Sequence, residues 1–203
     1  LRLQEGIAVL ADTDNEDAFK AFRFANEAMA KQRVQSIYAL KRRQGKKVTV
    51  DELNIPKNRS WRSFQLAFLL LSIPALANPE HPDRTNPAEA FADLLWFPTG
   101  GGKTEAYLGV AAFTMAIRRF QGNLGGYDAS RGLAVIMRYT LRLLTLQQFQ
   151  RATALICAME VIRRNGLDTG DNSLGEQPFT IGLWVGNTVT PGTTDASHKA
   201  IKD

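Results

Sequence analysis

Residues 98–105 read Pro98-Thr99-Gly100-Gly101-Gly102-Lys103-Thr104-Glu105. The stretch lies between an apolar segment, residues 92–97, that predicts a strand and a helix-forming run, residues 106–119. Consecutive glycines adopt backbone conformations closed to other residues, so successive N–H groups can turn inward around a polyanion. The helix that follows adds about half a positive charge at its N-terminus, directed at the same place. The stretch therefore predicts a phosphate-binding loop.

The end of this loop, Gly-Lys-Thr, matches the P-loop pattern G-x-x-x-x-G-K-[ST], except that Phe97 stands where the first glycine belongs. Phe-Pro-Thr-Gly-Gly-Gly-Lys-Thr instead resembles the Pro-Thr-Gly-x-Gly-Lys-Thr form of superfamily 2 helicases and translocases. A P-loop implies that Lys103 reaches the β- and γ-phosphates of ATP and that the Thr104 hydroxyl ligates Mg²⁺. These two are the candidate catalytic residues. The alternative is a glycine-rich turn that only precedes a helix, and the strand before it and the helix after it favour the phosphate site.

Upstream of the loop, Trp61-Arg62-Ser63-Phe64-Gln65 resembles the Arg-x-x-Gln element of many superfamily 2 proteins. The resemblance implies that the Gln65 amide, with a donor and an acceptor side by side, recognises the adenine edge. The alternative is that Arg62 and Gln65 form the polar face of an apolar helix, and the sequence does not decide between the two. The candidate nucleotide-binding residues are Arg62, Gln65, Thr99, Gly100, Gly101, Gly102, Lys103, Thr104 and Glu105.

Downstream, residues 135–147 resemble the Pro-Thr-Arg-x-Leu-x-x-Gln element, which contacts the backbone of single-stranded DNA in superfamily 2. The register needs one extra residue, and the proline is replaced. Hydroxyls, backbone N–H groups and an arginine at a strand's carboxyl end can bind phosphates without selecting a base sequence. The alternative for the arginine is a helix-surface position. The candidate nucleic-acid contacts are Arg138, Thr140 and Arg142, with Gly186 and Thr190 as weaker matches.

In the rest of the chain, short apolar runs that predict strands alternate with longer stretches of helical periodicity. This alternation is typical of a parallel sheet flanked by helices. The predicted helices cover residues 16–44, 61–72 and 145–164, a short helix begins at Asn86, and further strands cover residues 132–137 and 179–185. The expected fold class is α/β, an incomplete P-loop NTPase (RecA-like) parallel sheet with flanking helices. We expect a helical N-terminal segment over residues 1–60 and a partial first RecA-like motor lobe over residues 61–203.

Composition limits the class of protein. The chain has 203 residues, of which 44% are hydrophobic and 22% are charged, as in an ordinary globular domain. The net charge of +5 slightly favours polyanionic partners. The basic run over residues 41–47 is either a nucleic-acid contact or a solvated helix end, and the helix dipole favours the second. A single cysteine, Cys157, and no apolar run long enough to span a bilayer predict a soluble, cytoplasmic protein without membrane contact.

Read together, the unusual stretches resemble the helicase-like subunits of the bacterial DISARM anti-phage defence systems. The stretches that carry this resemblance are residues 22–30, 61–68, 95–109, 137–151 and 182–186. The resemblance implies an ATP-dependent DNA helicase or translocase that works with a partner defence protein. Composition and periodicity indicate only a nucleotide-binding α/β domain.

Two expected elements of such a motor are missing from the sequence. After Lys103 no apolar strand ends in Asp-Glu, which would hold Mg²⁺ and orient water. A second lobe with arginine fingers is also missing, and the chain begins at Leu1, so we expect a piece of a longer protein. We predict that the chain alone binds nucleotide weakly without hydrolysing it.

Two other functions stay open at the sequence level. One is an unrelated P-loop NTPase or kinase that acts on a small phosphate acceptor. The other is a nucleotide-binding scaffold that docks a defence partner through the amphipathic helix of residues 16–44. The Pro-Thr before the glycines disfavours the first, and apolar stripes on helices are more often internal contacts than partner surfaces.

Overall fold

The computed structural model describes residues 1–88, 92–98, 100–124, 126–139, 142–184 and 191–202. The helices in these ranges are α1 (Arg2–Ala11), α2 (Asp17–Arg43), α3 (Val50–Leu53), α4 (Pro56–Arg59), α5 (Ser63–Ala77), α6 (Pro82–Thr85), α7 (Lys103–Gln121), α8 (Arg142–Asp168) and α9 (Thr194–Lys202). Two strands of two residues each, β1 (Asn123–Leu124) and β2 (Tyr127–Asp128), form an antiparallel pair after α7. Among these helices, none is both long and apolar enough to cross a membrane.

Helix α2 shows why the helix predictions succeed. Its first turn contains Asp17 and its last turn contains Lys41, Arg42 and Arg43, so its charges complement the helix dipole at both ends. Gly45 follows with a φ of +75°, and its N–H binds the Arg42 carbonyl at 3.0 Å. A left-handed glycine is the common way to end a helix. The prediction of a helix over residues 16–44 is therefore confirmed to within one residue at each end.

The core lies where α2 packs against α7 and α8, and where α5 packs against α1 and α7. Alanines occupy the closest contacts, because short side chains let helix axes approach. Those with no exposed surface are Ala21, Ala25 and Ala28 of α2, and Ala106, Ala112 and Ala116 of α7. Larger side chains fill the rest of the core: Phe24, Met29, Leu69, Ile73, Phe113, Leu155 and Met159. Helices from before and after residue 60 thus share one core.

The expected α/β fold class is wrong. In the described parts of residues 92–97, 132–137 and 179–185, no residue belongs to a strand. The only sheet in the described residues is the short β1–β2 pair, and the protein is mostly helical. The RecA-like parallel sheet is therefore absent from the described residues. Where the helix predicted from Asn86 can be followed, residues 87–88 form a turn.

The physical reason is that apolarity predicts burial, but a strand also needs a partner for its backbone. A parallel sheet is stable when neighbouring strands supply the ladder and helices cover both faces. Here much of each apolar segment lies at the surface instead: Trp96 is 86% exposed, Ile136 79% and Trp184 87%, although Phe179 is buried. The sequence pattern identified segments suited to a buried strand. In the described residues, however, these segments have neither a neighbouring strand to bond with nor helices that cover both of their faces.

The segment after α8 is held to the helical core by charged groups. Glu160 of α8 accepts hydrogen bonds from Arg163 Nη2 at 2.6 Å, Arg164 Nε at 3.0 Å and the Phe179 N–H at 3.1 Å. The hydrogen bond from Arg163 is the main cause that lowers the pKa of Glu160 to about 2. Arg119 of α7 lies over the Phe179 ring at 4.6 Å from its centroid. These contacts fix residues 178–179 without a strand.

We predict that Glu160→Gln lowers the free energy of unfolding by about 1–3 kcal/mol at neutral pH. Because the folded-state pKa lies below the ordinary value of about 4.3, the ionised carboxylate stabilises the fold above that value. This stabilisation is lost as the pH falls toward 2. Urea unfolding at a series of pH values should therefore show a gap between wild type and variant that closes with acidification. A gap that is the same at pH 7 and pH 3 would contradict the assignment.

Candidate functional site

Two residues of the glycine-rich loop have left-handed backbone conformations. Gly100 and Gly102 have φ values of +80° and +91°, and the Gly101 N–H binds the Pro98 carbonyl at 3.1 Å. Helix α7 begins directly afterwards at Lys103. A Cβ atom added at Gly102 would lie 2.7 Å from Gln65 Nε2, whereas one added at Gly100 would meet nothing within 4 Å. Thr99, also predicted to contribute, lies outside the described residues.

The start of α5 holds this loop in place. Arg62 Nη1 donates to the Gly101 carbonyl and Gln65 Nε2 donates to the Gly102 carbonyl, each at 2.8 Å. Gln65 Oε1 in turn accepts from the Arg62 N–H at 2.8 Å. Because C=O and N–H of a trans peptide point in opposite directions, the N–H groups of Gly102 and Lys103 face away from these two side chains. The structure thus brings Arg62 and Gln65 to the loop, as braces of its backbone.

This bracing occupies part of the Gln65 amide. The side chain is buried, and one N–H and the oxygen are already engaged in hydrogen bonds with the backbone. One N–H and one lone pair remain for another partner. Recognition of adenine by Gln65 stays a prediction, whereas its contact with the loop is a property of the structure.

Lys103 and Thr104 lie at the first turn of α7. Lys103 Nζ donates to the Phe97 carbonyl, so the ammonium group folds back across the loop. Phe97 itself stacks on Phe64 of α5, with ring centroids 4.0 Å apart and planes 20° apart. In the described part of the chain the Thr104 hydroxyl makes no hydrogen bond. The loop is therefore anchored to α5 at both ends, with Lys103 and Thr104 beside its open side.

A cleft of about 500 Å³ opens beside the loop and is bounded by α2, the chain between α4 and α5, the start of α7, and α8. This volume lies within the usual range for small-molecule sites. Its cationic lining residues are Arg33, Arg59, Arg62, Lys103 and Arg151, and its one carboxylate is Glu105. Because cations strongly outnumber carboxylates, the cleft suits an anionic ligand.

Glu105, the third residue of α7, is held by two of these cations. Arg151 Nη2 of α8 contacts Glu105 Oε1, and Arg33 Nη1 of α2 lies 3.9 Å from the same oxygen. The Glu105 side chain is only 17% exposed. The ion pairs join three helices at the mouth of the cleft, with the carboxylate in a mainly cationic setting.

Arg33, Arg59 and Arg151 were not predicted as site residues. They come from separate helices, and no local pattern links them to the loop. Arg33 did carry a signal, since it occupies a position on the otherwise apolar stripe of α2. A cation at such a position must find a polar environment, and here that environment is the cleft.

A further acceptor in the cleft has no protein partner. Gln148 Oε1 of α8 is buried and makes no hydrogen bond within the described residues. An unsatisfied buried acceptor is costly, so a ligand hydroxyl or a bound water would stabilise it. The fit to ATP is therefore supported by the glycine loop, the cations and this acceptor. For Mg²⁺ the described residues offer the Thr104 hydroxyl, and they hold no cluster of three or more His, Cys, Asp or Glu side chains.

Of the predicted nucleic-acid contacts, only the side chain of Arg138 belongs to the described residues. Arg138 is exposed in the segment before α8 and does not line the cleft. Thr140, Gly186 and Thr190 lie outside the described residues, as does the side chain of Arg142. The structure therefore does not test these predictions.

We predict that Gly102→Ala destabilises the protein by at least about 1 kcal/mol more than Gly100→Ala. Both substitutions force alanine into a left-handed conformation at a cost of about 1–3 kcal/mol. Only the Cβ at position 102 also pushes against the Gln65 amide that braces the loop. Chemical denaturation of the two variants measures the difference. Equal losses would mean that Gln65 does not constrain the loop.

Comparison with known proteins yields one informative similarity. No protein-family model matches the chain. The chain is 41% identical to the DISARM protein DrmA of Bacillus paralicheniformis over 195 residues, which is 96% of this chain. It spans only 16% of the length of that protein. The predicted resemblance to a DISARM component is thereby confirmed, while membership of superfamily 2 stays a prediction. The chain is similar, over nearly its whole length, to one segment of a much longer DISARM protein.

Proposed function

We propose that this chain is the ATP-binding segment of a bacterial anti-phage defence protein of the DISARM type. The strongest support is the cationic cleft beside the glycine-rich loop, which is followed directly by the N-terminus of α7. Triphosphates carry several negative charges in a short chain of oxygens, and such a cleft neutralises them with guanidinium, ammonium and backbone N–H groups.

Each residue of the site has a distinct role in this proposal. Arg62 and Gln65 hold the loop so that the N–H groups of Gly102 and Lys103 stay available to phosphate oxygens. Lys103 exchanges its bond to the Phe97 carbonyl for a phosphate oxygen. The Thr104 hydroxyl would hold Mg²⁺, which when bound supplies further neutralisation of phosphate charge. The α7 N-terminus adds its dipole to the same region.

For the whole protein we propose a superfamily 2 helicase or translocase that couples ATP hydrolysis to engagement of DNA. Support comes from the Pro-Thr-Gly-Gly-Gly-Lys-Thr motif and from the similarity to a DISARM protein. The DNA would be contacted mainly through its backbone, as a single strand, and a second protein of the same system would act alongside. Binding through phosphates would weaken with added salt because counterions are released.

We predict that Lys103→Ala weakens binding of a fluorescent ATP analogue at least about tenfold, because it removes the ammonium group nearest the loop. Lys20→Ala is the matched control, since Lys20 lies on α2 outside the cleft and pairs with the exposed Glu16 at 3.1 Å. Equilibrium fluorescence titration gives both affinities. An unchanged affinity in the Lys103 variant would rule out the proposed phosphate contact.

A second candidate function, a nucleotide-binding scaffold that docks a defence partner, is favoured by a groove between α2 and α8. This groove, of about 870 Å³, is lined by apolar side chains that include Val34, Leu40, Ala154 and Val161, and by cationic side chains that include Lys31 and Arg43. Leu40 and Val161 are 55% and 49% exposed. The apolar stripe predicted for α2 does not supply this surface, since Met29 of that stripe is buried in the core.

If docking is the main function, Leu40→Asp with Val161→Asp should abolish phage protection by the intact system while nucleotide affinity stays unchanged. Both residues are already exposed, so the substitutions should alter stability little. Plaque counts on cells carrying the full system measure protection. Loss of protection with Lys103→Ala but not with the groove variant would favour the ATP-dependent function instead.

A further inference from the structure

Two arginines from different helices converge on a single oxygen at the mouth of the cleft. Arg33 comes from α2 and Arg151 from α8, and both point to Glu105 Oε1 at the start of α7. Neither arginine pairs with another carboxylate in the described residues. The result is a small anion site whose present occupant is a side chain of the protein itself.

Glu105 satisfies this site only in part. One carboxylate oxygen is shared between two guanidinium groups, and the longer of the two contacts, to Arg33, is 3.9 Å. A guanidinium group prefers two parallel hydrogen bonds to an oxyanion, so each arginine retains donors that Glu105 does not use. A group with three oxygens and up to two negative charges would match the pair better than one carboxylate does.

We propose that Arg33 and Arg151 form a subsite for the terminal phosphoryl group of a nucleoside triphosphate, and that Glu105 occupies this subsite until the nucleotide binds. The inference rests on the proposed nucleotide-binding function and adds the residues that distinguish triphosphate from diphosphate. Glu105 is two residues from Lys103, so the subsite lies within reach of a phosphate chain held at the loop. Arg33 and Arg151 are therefore specificity-determining residues.

The displacement of Glu105 has a consequence for affinity. A triphosphate must compete with the carboxylate for the two guanidinium groups, whereas a diphosphate held at the loop leaves the ion pairs intact. Removal of the Glu105 charge should therefore strengthen triphosphate binding and leave diphosphate binding unchanged. If Glu105 only stabilised the loop, its substitution would instead weaken the binding of both the triphosphate and the diphosphate.

The test compares ATP and ADP affinities of wild type, Glu105→Gln, Arg33→Gln and Arg151→Gln by competition with a fluorescent nucleotide. Arg23→Gln is the matched control, since Arg23 is an exposed arginine of α2 outside the cleft. We expect the arginine variants to lower the ratio of ATP to ADP affinity about tenfold or more, with ADP affinity within about twofold of wild type. We expect Glu105→Gln to raise ATP affinity about threefold or more.

Equal losses of ATP and ADP affinity in the arginine variants, or weaker ATP binding by Glu105→Gln, would overturn the subsite. The affinities for tripolyphosphate and pyrophosphate give the same comparison without adenosine. A difference between them would therefore reveal the subsite even if the protein does not recognise adenine. Wild type that binds ADP and ATP equally would contradict the subsite but keep the nucleotide site. Wild type that binds none of these ligands would contradict both proposals. If Arg151→Gln does not fold, Arg151→Lys replaces it, since lysine keeps the charge but lacks the paired N–H donors of a guanidinium group. We expect Arg151→Lys to lower the ratio of ATP to ADP affinity by a smaller factor.

Discussion

The candidate site depends on a pair of hydrogen bonds between the start of α5 and the glycine-rich loop. Arg62 and Gln65 bind the carbonyls of Gly101 and Gly102, and these bonds restrict glycines that otherwise have wide backbone freedom. Helix α5 is itself fixed by the core, where Leu69 and Ile73 are fully buried. Free energy from apolar packing is thus used to order a polar loop.

The same logic explains how so much positive charge is held in one place. Five cationic side chains around the cleft repel one another, and isolated guanidinium groups are costly to bring together. The close packing of α2, α7 and α8 through alanines sets their spacing, and Glu105 offsets part of the repulsion. The helical framework therefore fixes the positions of the cationic side chains, and the Glu105 carboxylate is their counterion before a ligand binds.

Sequence patterns predicted the helices far better than the strands. Helices α2, α5, α7 and α8 were expected from periodicity, charge and glycine positions, all of which are local properties of a helix. Strand stability depends on a neighbouring backbone that a local pattern does not specify. The apolar run containing Trp96 was predicted to be a strand, but Trp96 is exposed. The α/β expectation failed at that non-local step.

The sequence by itself determined the glycine-rich loop and the start of α7, since each is encoded within a few residues. It selected Arg62 and Gln65 as site residues, but their hydrogen bonds to the loop were found only in the structure. It also identified the similarity to DISARM proteins through unusual local stretches. Only the tertiary structure decided that Arg33, Arg59 and Arg151 line the cleft beside the loop and that Glu105 pairs with Arg33 and Arg151. The physical reason is distance along the chain. These side chains meet because helices from remote segments share one core, and the local sequence of a helix does not specify which other helix will pack against it.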